Sequence, residues 1–258
     1  GIRAFALGKR QRNGRIHAAW RRIFRPEPLF GCRRAHPEKN ILVRISGPIR
    51  DSGDIPKIYR FSVINADDHA FHIGAVFQKT IQMNHEYRSA YSLLGIAYTK
   101  VGKYDDAIQI LKKRIEFDPD LAIAHSNLGI VYSMKGMDKE ALTAYNKALE
   151  IDPGHESALY NIALFYDKTG NVDEAIRYYN RTVEMNVSNA DAQYRLGKDY
   201  MKKKQYDNAI NAFQTAVMSD PNNVEIYNDL GTAYKAKGME KDAEGYFSIY
   251  KKKTKKGK

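Results

Sequence analysis

The stretch from His125 to Pro153, HSNLGIVYSMKGMDKEALTAYNKALEIDP, decides the fold, because its pattern returns along the chain at a fixed step. It holds two segments with helical spacing of apolar residues, separated by Gly136, and this combination indicates a helical hairpin. The landmarks within it are Leu128-Gly129, Tyr132, Ala141, Tyr145, Ala148 and Pro153.

The same landmarks recur at a step of 34 residues in five copies. The tyrosine is found as Tyr98, Tyr132, Tyr166, Tyr200 and Tyr234. The glycine before it is Gly95, Gly129, Gly197 and Gly231, with Ala163 in the third copy, and the second-helix alanine is Ala107, Ala141, Ala175, Ala209 and Ala243. This period and order of landmarks resembles the tetratricopeptide repeat. The units are 88–121, 122–155, 156–189, 190–223 and 224–250.

The resemblance implies an all-α fold, a right-handed superhelical solenoid of about five helix-turn-helix repeats over residues 88–250. The residues agree with it, because one hairpin cannot bury its own apolar face and the copies must therefore stack. Gly129 is expected to let the second helix of its hairpin approach where a Cβ would collide. Acids at the start of second helices, such as Asp138, face the positive end of the helix dipole and are interpreted as caps.

The positive charge of the chain lies at its two ends. The formal net charge is +12. Residues 1–60 carry 15 basic and 4 acidic residues, residues 61–250 carry 21 and 26, and residues 251–258 carry 6 lysines. The repeats are therefore mildly acidic, which argues against a basic nucleic-acid surface along them. No apolar run in the sequence is long enough to span a bilayer.

Residues 1–53 form an arginine-rich extension that is expected to be poorly ordered. Its amphipathic basic stretch also fits an anionic membrane surface, an organelle transit peptide or a nucleic acid, and these alternatives stay open. Residues 41–64 contain two short β-like runs that fit a small hairpin. Arginine gives way to lysine near residue 61, which suggests a junction between segments of different origin.

Residues 54–87 are interpreted as a degenerate half repeat ahead of the first full unit. The run 77–84 parallels the run 179–186 three periods later, so a capping helix is predicted over 68–87. At the other end, the last helix is predicted to lead into the lysine-rich tail 251–258. That tail fits a frayed, solubilising end, or else a contact with an acidic partner, a membrane or a nucleic acid.

No catalytic or metal-binding constellation is evident in the sequence. Cys32 is the single cysteine, so an intramolecular disulfide is excluded and no zinc spacing exists. His69 and His72 are the only close histidine pair, which is too little to specify a metal site. There is no phosphate-binding loop and no nucleophile elbow. The chain is therefore predicted not to be an enzyme and to need neither a cofactor nor a metal.

The resemblance places the binding site in a concave groove lined by the first helix of each unit, where proteins of this family hold a partner's extended or helical segment. The inner-face positions are apolar in the first half of the groove and polar or charged in the second. The candidate partner-binding residues are Ile96, Asn127, Ile130, Tyr160, Asn161, Leu164, Tyr194, Arg195, Lys198, Asn228 and Asp229.

Asn127 and Asn161 occupy equivalent positions one period apart. They are similar to the asparagine ladder in the repeat domain of O-linked N-acetylglucosamine transferases, whose amides hold a peptide backbone with little regard for its sequence. The ladder is interrupted here, because Leu93, Arg195 and Asp229 stand on the other rungs. An ordinary solvated or helix-bonded amide is the alternative at both positions.

The sequence thus predicts a non-catalytic scaffold for protein–protein interaction that binds a peptide or helix of a partner. The alternative is an assembly factor that is attached to a membrane or a nucleic acid through residues 1–60 or 251–258. Self-association and a regulatory role beside a separate enzyme stay open. A cytoplasmic location is expected, with a membrane-peripheral or organelle-targeted one as the alternatives.

Overall fold

The structure, a computed structural model, describes residues 66–256, and every regular element in that range is an α-helix. The basic extension 1–53 and the β-like runs of 41–64 lie outside the described residues. The helices are α1 (Ala66–Met83), α2 (Arg88–Lys100), α3 (Tyr104–Phe117), α4 (Ala122–Met134), α5 (Asp138–Ile151), α6 (Glu156–Lys168), α7 (Val172–Met185), α8 (Ala190–Lys202), α9 (Tyr206–Ser219), α10 (Val224–Ala236) and α11 (Glu240–Lys256).

The helices stack in chain order, and this arrangement confirms the predicted all-α solenoid. From α2 onward they form five hairpins, in which the first helix packs against the second and the second packs against the first helix of the next hairpin. First helices also touch one another, α4 contacting both α2 and α6, and α8 contacting α10. Buried side chains form a row of small cores between these helices. Each hairpin is therefore stabilised mainly by its neighbours.

The glycine before the repeated tyrosine permits the close approach of the two helices in a hairpin. A Cβ built on Gly129 would lie 2.6 Å from Cδ1 of the buried Tyr145 ring, closer than real carbon contacts allow. The role predicted for this glycine is thereby confirmed. In the third hairpin, Ala163 packs in the same cluster as Tyr179, so a single methyl group is accommodated there. The same close approach is found for the pairs Gly95–Leu111, Gly197–Phe213 and Gly231–Phe247.

A residue in the left-handed conformation ends the first helix of each hairpin. Gly102 has φ of 75°, and its N–H donates to the carbonyl of Thr99 at 3.1 Å. The N–H of Lys103 donates to the carbonyl of Tyr98 at 2.9 Å, which completes a Schellman motif. In the fourth hairpin Lys204 takes this place with φ of 58°, the only positive φ of a non-glycine residue between 66 and 256. The glycines of the other hairpins are Gly136, Gly170 and Gly238.

Acidic residues at the start of second helices pair with lysines of the next hairpin. The Nζ of Lys135 lies 2.6 Å from Asp105, and the pairs Lys168–Asp138, Lys203–Asp173 and Lys237–Asp207 repeat the contact. These acids do stand in the first turn of their helices. Their interpretation as caps needs correction, however, because the capping side chains found among the described helices are Asn171 and Asn189. Exposed ion pairs of this kind contribute about 0.2–1 kcal/mol each.

One helix, α1, packs against the first hairpin, in the place that the sequence assigned to a capping helix. It ends at Met83 rather than at 87, because the following residues form a turn. In that turn the N–H of Tyr87 donates to the carbonyl of Asn84 at 3.1 Å, and the N–H of Glu86 donates to the side chain of Asn84 at 3.0 Å.

The last helix, α11, continues through the lysines of the predicted tail to Lys256, so the described part of that tail is helical rather than frayed. The Nζ of Lys253 donates to the carbonyl of Pro221 at 3.0 Å and lies 5.0 Å from the centre of the Tyr227 ring. This contact ties the final turns of α11 to the loop between α9 and α10. Lys251, Lys252 and Lys255 are exposed on the same extension.

Candidate functional site

The first helices α2, α4, α6, α8 and α10 form a surface that we call the inner groove. Its side chains touch across hairpins. The hydroxyl of Tyr160 on α6 donates to the carboxylate of Asp191 on α8. The hydroxyl of Tyr194 on α8 donates to the carboxylate of Asp229 on α10 at 2.8 Å. Candidate residues of neighbouring hairpins therefore border one continuous surface.

The first half of the inner groove carries apolar side chains. Ile96 on α2 is 39% exposed, and Ile123 at the start of α4 is 52% exposed. Ile130 and Leu164 are half-buried and pack against the cores of their hairpins. Covering exposed isoleucine with apolar atoms is favourable at roughly 25 cal/mol per Å² of apolar surface removed from water. This half is therefore suited to apolar side chains of a partner.

The amides of the inner groove differ in their hydrogen bonds. Asn161 Nδ2 donates to the carbonyl of Ser157 at 2.7 Å, one turn earlier in the same helix. The helix-bonded alternative thus applies to Asn161. The half-buried side chain of Asn127 has no hydrogen bond within residues 66–256, so both its donor and its acceptor are available. Asn228 on α10 is also half-buried.

Charged side chains in the second half of the groove bind one another. Arg195 Nε donates to Asp191 at 3.0 Å, and Arg195 Nη1 lies 3.9 Å from Asp167. Asp167 also accepts from Lys202 Nζ at 2.7 Å. Burial acts to lower the pKa of Arg195, but its hydrogen bond to Asp191 and the neighbouring negative charges outweigh burial and raise it. These ion pairs join α6 to α8.

Tyrosine rings lie among these charges. Burial raises the pKa of Tyr194, and its hydrogen bond to Asp229 raises it further, so the hydroxyl stays a donor. Lys198 is exposed on the next turn, with its Nζ 5.6 Å from the centre of the Tyr194 ring. The ring of Tyr160 lies 6.0 Å from that of Tyr179, a buried residue whose pKa is also raised by burial. The second half of the groove thus offers ring faces beside polar groups.

Asp199 is a buried carboxylate that the candidate residues did not include. Its side chain is 1% exposed, and its Oδ1 accepts from Lys202 Nζ at 2.7 Å. Its Oδ2 has no partner in the described part of the chain. Burial raises the pKa of Asp199, and the charge of Asp167 adds to the effect. The sequence indicates that Asp199 is unusual, because the equivalent positions in the other hairpins are all apolar: Ala97, Val131, Phe165 and Ala233.

Residues 66–256 hold no group of three or more His, Cys, Asp or Glu residues placed to bind a metal ion. None of the helices in this range combines the length and the apolar character needed to cross a membrane.

Comparison with known protein families gives matches that coincide with the hairpins. Models of the tetratricopeptide repeat match residues 122–155 and 144–177, and a TPR repeat model matches residues 95–136 and 197–238. The chain is a tetratricopeptide-repeat protein. No curated protein matches it.

Solved structures share the tetratricopeptide architecture. The MamA protein is 27% identical, with a TM-score of 0.58, and the match covers 67% of this chain and 94% of MamA. A MamA structure from Desulfovibrio magneticus RS-1 is 23% identical, with a TM-score of 0.58, covering 66% of this chain and 97% of that one. YrrB, described as a TPR protein with an unusual peptide-binding site, is 24% identical, with a TM-score of 0.58, covering 70% and 93%. The last two likenesses show the fold alone.

The tetratricopeptide hairpins therefore bring some of the candidate residues together. Tyr160 and Arg195 meet at Asp191, and Tyr194 meets Asp229 beside them. Ile96 and Asn127 lie toward the other end of the inner groove, with no direct bond to that charged group among the described residues. A scaffold for protein interaction is the role that this repeat architecture supports.

Proposed function

We propose that this tetratricopeptide protein is a non-catalytic scaffold that holds an extended or helical segment of a partner protein in its inner groove. The observation that carries the proposal is the row of contacts between first helices, which joins Tyr160 to Asp191 and Tyr194 to Asp229. Because these contacts run from hairpin to hairpin, a segment lying along the groove can touch several repeats at once.

The two halves of the groove supply different interactions. Ile96 and Ile123 present exposed apolar surface, which favours aliphatic or aromatic side chains of the partner. Asn127 can donate to and accept from a peptide backbone, so it contributes binding that depends little on sequence. These three residues are the proposed docking point of the segment's apolar end.

The charged half supplies position and selectivity. Asp167 and Asp191 hold the guanidinium of Arg195, so a partner meets an ordered array of donors and acceptors. Ordering before binding lowers the free-energy cost of association. Asp199 binds Lys202 beside this array, and its buried Oδ2 has no hydrogen-bond partner within residues 66–256, so a carboxylate at this position destabilises the fold. A destabilising group beside a candidate site supports a functional role for that half of the groove.

A peptide-display selection on the full chain tests the proposal, with random twelve-residue peptides as the probe. Ile96→Asp places a charge in the inner groove and is expected to weaken the selected peptides at least tenfold, about 1.4 kcal/mol. Ile249→Asp is the matched control, because Ile249 is also 39% exposed but lies on the second helix α11. Equal weakening by both variants, or a selection that yields no peptide, would contradict groove binding.

One observation favours a second candidate function. Lys251, Lys252 and Lys255 are exposed on the helical extension of α11, on either side of Lys253, which contacts Pro221. This basic end and the basic residues 1–60 can attach the scaffold to an anionic membrane or a nucleic acid. Deleting residues 1–60 and 251–258 should abolish binding to anionic liposomes and to RNA. Binding that survives the deletion would refute attachment through the ends.

A further inference from the structure

The repeated tyrosine of the first helix is covered by a second aromatic ring in two of the hairpins. In the third hairpin, Tyr178 of α7 stacks on Tyr166, with ring centres 5.7 Å apart and planes at 21°. In the fifth hairpin, Tyr246 of α11 stacks on Tyr234, with centres 5.3 Å apart and planes at 11°. The second helix of the hairpin therefore has a position at which a tyrosine ring stacks on the repeated tyrosine, and two hairpins have a tyrosine there.

In the second and fourth hairpins the covering residue is alanine. Ala144 and Ala212 stand at the positions where the third and fifth hairpins have tyrosine. No ring contact is made by Tyr132 or Tyr200 within residues 66–256, and both tyrosines are half-buried. One side of each ring is thus left without the aromatic partner that the neighbouring hairpins provide.

A depression opens at each of these two places. The one beside Tyr132 and Ala144 has a volume of about 390 Å³, and the one beside Tyr200 and Ala212 has a volume of about 240 Å³. Leu128 lines the first depression, and the equivalent residue Leu196 lines the second. The two depressions are therefore one feature of the repeat, opened wherever alanine replaces tyrosine.

These depressions are separate from the inner groove. The first lies between α4 and α5. The second lies between α8 and α9 and is also lined by Asn180 and Val183 of α7. None of the candidate inner-groove residues lines either of them. A partner bound here would leave the inner groove free.

We propose that the two depressions are docking sites for aromatic side chains of a partner protein, which stack on Tyr132 and Tyr200 as Tyr178 and Tyr246 stack in the neighbouring hairpins. Offset stacking of this kind is the preferred geometry of aromatic pairs. The hydroxyl of Tyr200 is already fixed by Asn180 Nδ2 at 3.1 Å, so this ring need not be ordered on binding.

The charges around the first depression indicate which partner residues can flank the bound aromatic side chain. Lys139, Lys147 and Glu140 lie at its edge, and Lys147 Nζ pairs with Glu150 at 2.9 Å, so Lys139 is the lining cation without an ion pair within residues 66–256. An aromatic residue flanked by acidic residues therefore fits this site. The second depression is bordered by uncharged amides, such as Asn208 and Asn211, and selects for the ring alone.

The experiment titrates the full, isotopically labelled chain with two tripeptides, acetyl-Glu-Tyr-Glu-amide and acetyl-Glu-Leu-Glu-amide, followed by NMR. The tyrosine peptide should give saturable shifts at the amides of Tyr132 and Ala144, with an affinity at least fivefold above that of the leucine peptide. Ala144→Tyr places in the second hairpin the ring that the third hairpin already has, and it should abolish those shifts.

A second variant keeps the proposal testable if Ala144→Tyr does not fold. Tyr178→Ala uncovers Tyr166 and should add a third set of saturable shifts around that residue. Equal affinity of the two tripeptides, shifts that persist in Ala144→Tyr, or no new site in Tyr178→Ala would each overturn the proposal. Because none of these positions lies in the inner groove, such a failure leaves groove binding untouched.

Discussion

At the scale of single residues, Lys204 is the one non-glycine residue between 66 and 256 with a positive φ. It adopts φ of 58° where the other hairpins have glycine. The left-handed region is unfavourable for a residue with a Cβ, by roughly 1–2 kcal/mol. Lys204→Gly should therefore raise the free energy of unfolding by about 1 kcal/mol, since glycine loses some of this gain through the entropy of the unfolded chain.

Urea denaturation of the full chain measures this effect. The matched control is Gly238→Lys, which introduces the same strain in the fifth hairpin, at φ of 84°, and should destabilise the protein by a similar amount. A Lys204→Gly variant no more stable than the wild type would contradict the strain assigned to this turn.

The second residue-scale prediction concerns Asp199. Asp199→Ala removes a buried carboxylate whose Oδ2 has no partner within the described residues, and Lys202 keeps its bond to Asp167. The free energy of unfolding at pH 7 should rise by about 1–3 kcal/mol. The pKa of Asp199 is raised in the folded state, so the cost of its charge is present above that pKa and is relieved as the pH falls through it.

Urea melts of the wild type and of Asp199→Ala between pH 7 and pH 4 test how the stability difference depends on pH. The stability gained by Asp199→Ala should be largest at pH 7 and should shrink toward pH 4. A constant or growing difference on acidification would show that burial is not what perturbs this carboxylate.

Residues that repeat were predictable, and residues that depart from the repeat were not. Gly129 and Tyr145 recur in the sequence, so their packing followed from the period. Asp199 is a single departure. Its partner Lys202 lies three residues along the same helix, but the bond from Lys202 to Asp167 becomes apparent only when α6 and α8 lie side by side. The sequence also left open whether Asn161 is a free amide for peptide binding or is bonded to its own helix. The hydrogen bond from Asn161 to Ser157 shows the second.

At the scale of helices, the hairpin depends on the close approach at Gly129. Gly129→Leu should drive a side chain into the ring of Tyr145 and lower the free energy of unfolding by about 1–3 kcal/mol. Gly245→Leu is the control, because a Cβ on Gly245 of α11 meets no atom within 4 Å. That control should leave stability unchanged or raise it, since glycine is a poor helix former. Equal stability of Gly129→Leu and the wild type in urea melts would refute the close-approach role.

The ends of helices were predicted less well than their existence. The period located ten helices in five hairpins, and α11 leads into the lysine tail as predicted, yet α1 ends at Met83 rather than at 87. This difference has a local cause, the turn in which the side chain of Asn84 accepts from the N–H of Glu86. Such contacts have no periodic signature, because terminal helices lack one of the two neighbours that internal helices have.

At the scale of the whole molecule, adjacent hairpins share small cores, so a substitution that destabilises one hairpin also destabilises the hairpins next to it. The order of the repeats was evident from the sequence, and so was the division of the inner groove into an apolar and a charged half. The pairing of the charges was not, because Arg195 and Asp167 belong to different hairpins. The depressions beside Tyr132 and Tyr200 were not predicted from the sequence either. They exist because alanine stands where two other hairpins have a tyrosine ring.

The central claim is that a partner segment lies in the inner groove. Hydrogen exchange of the full chain, measured by mass spectrometry with and without a saturating display-selected peptide, tests it most directly. Slower exchange in the first helices α4, α6 and α8 is predicted, because the bound segment shields and stabilises the surface that they share. Slower exchange confined to the second helices α5, α7 and α9, or no change at saturation, would contradict it.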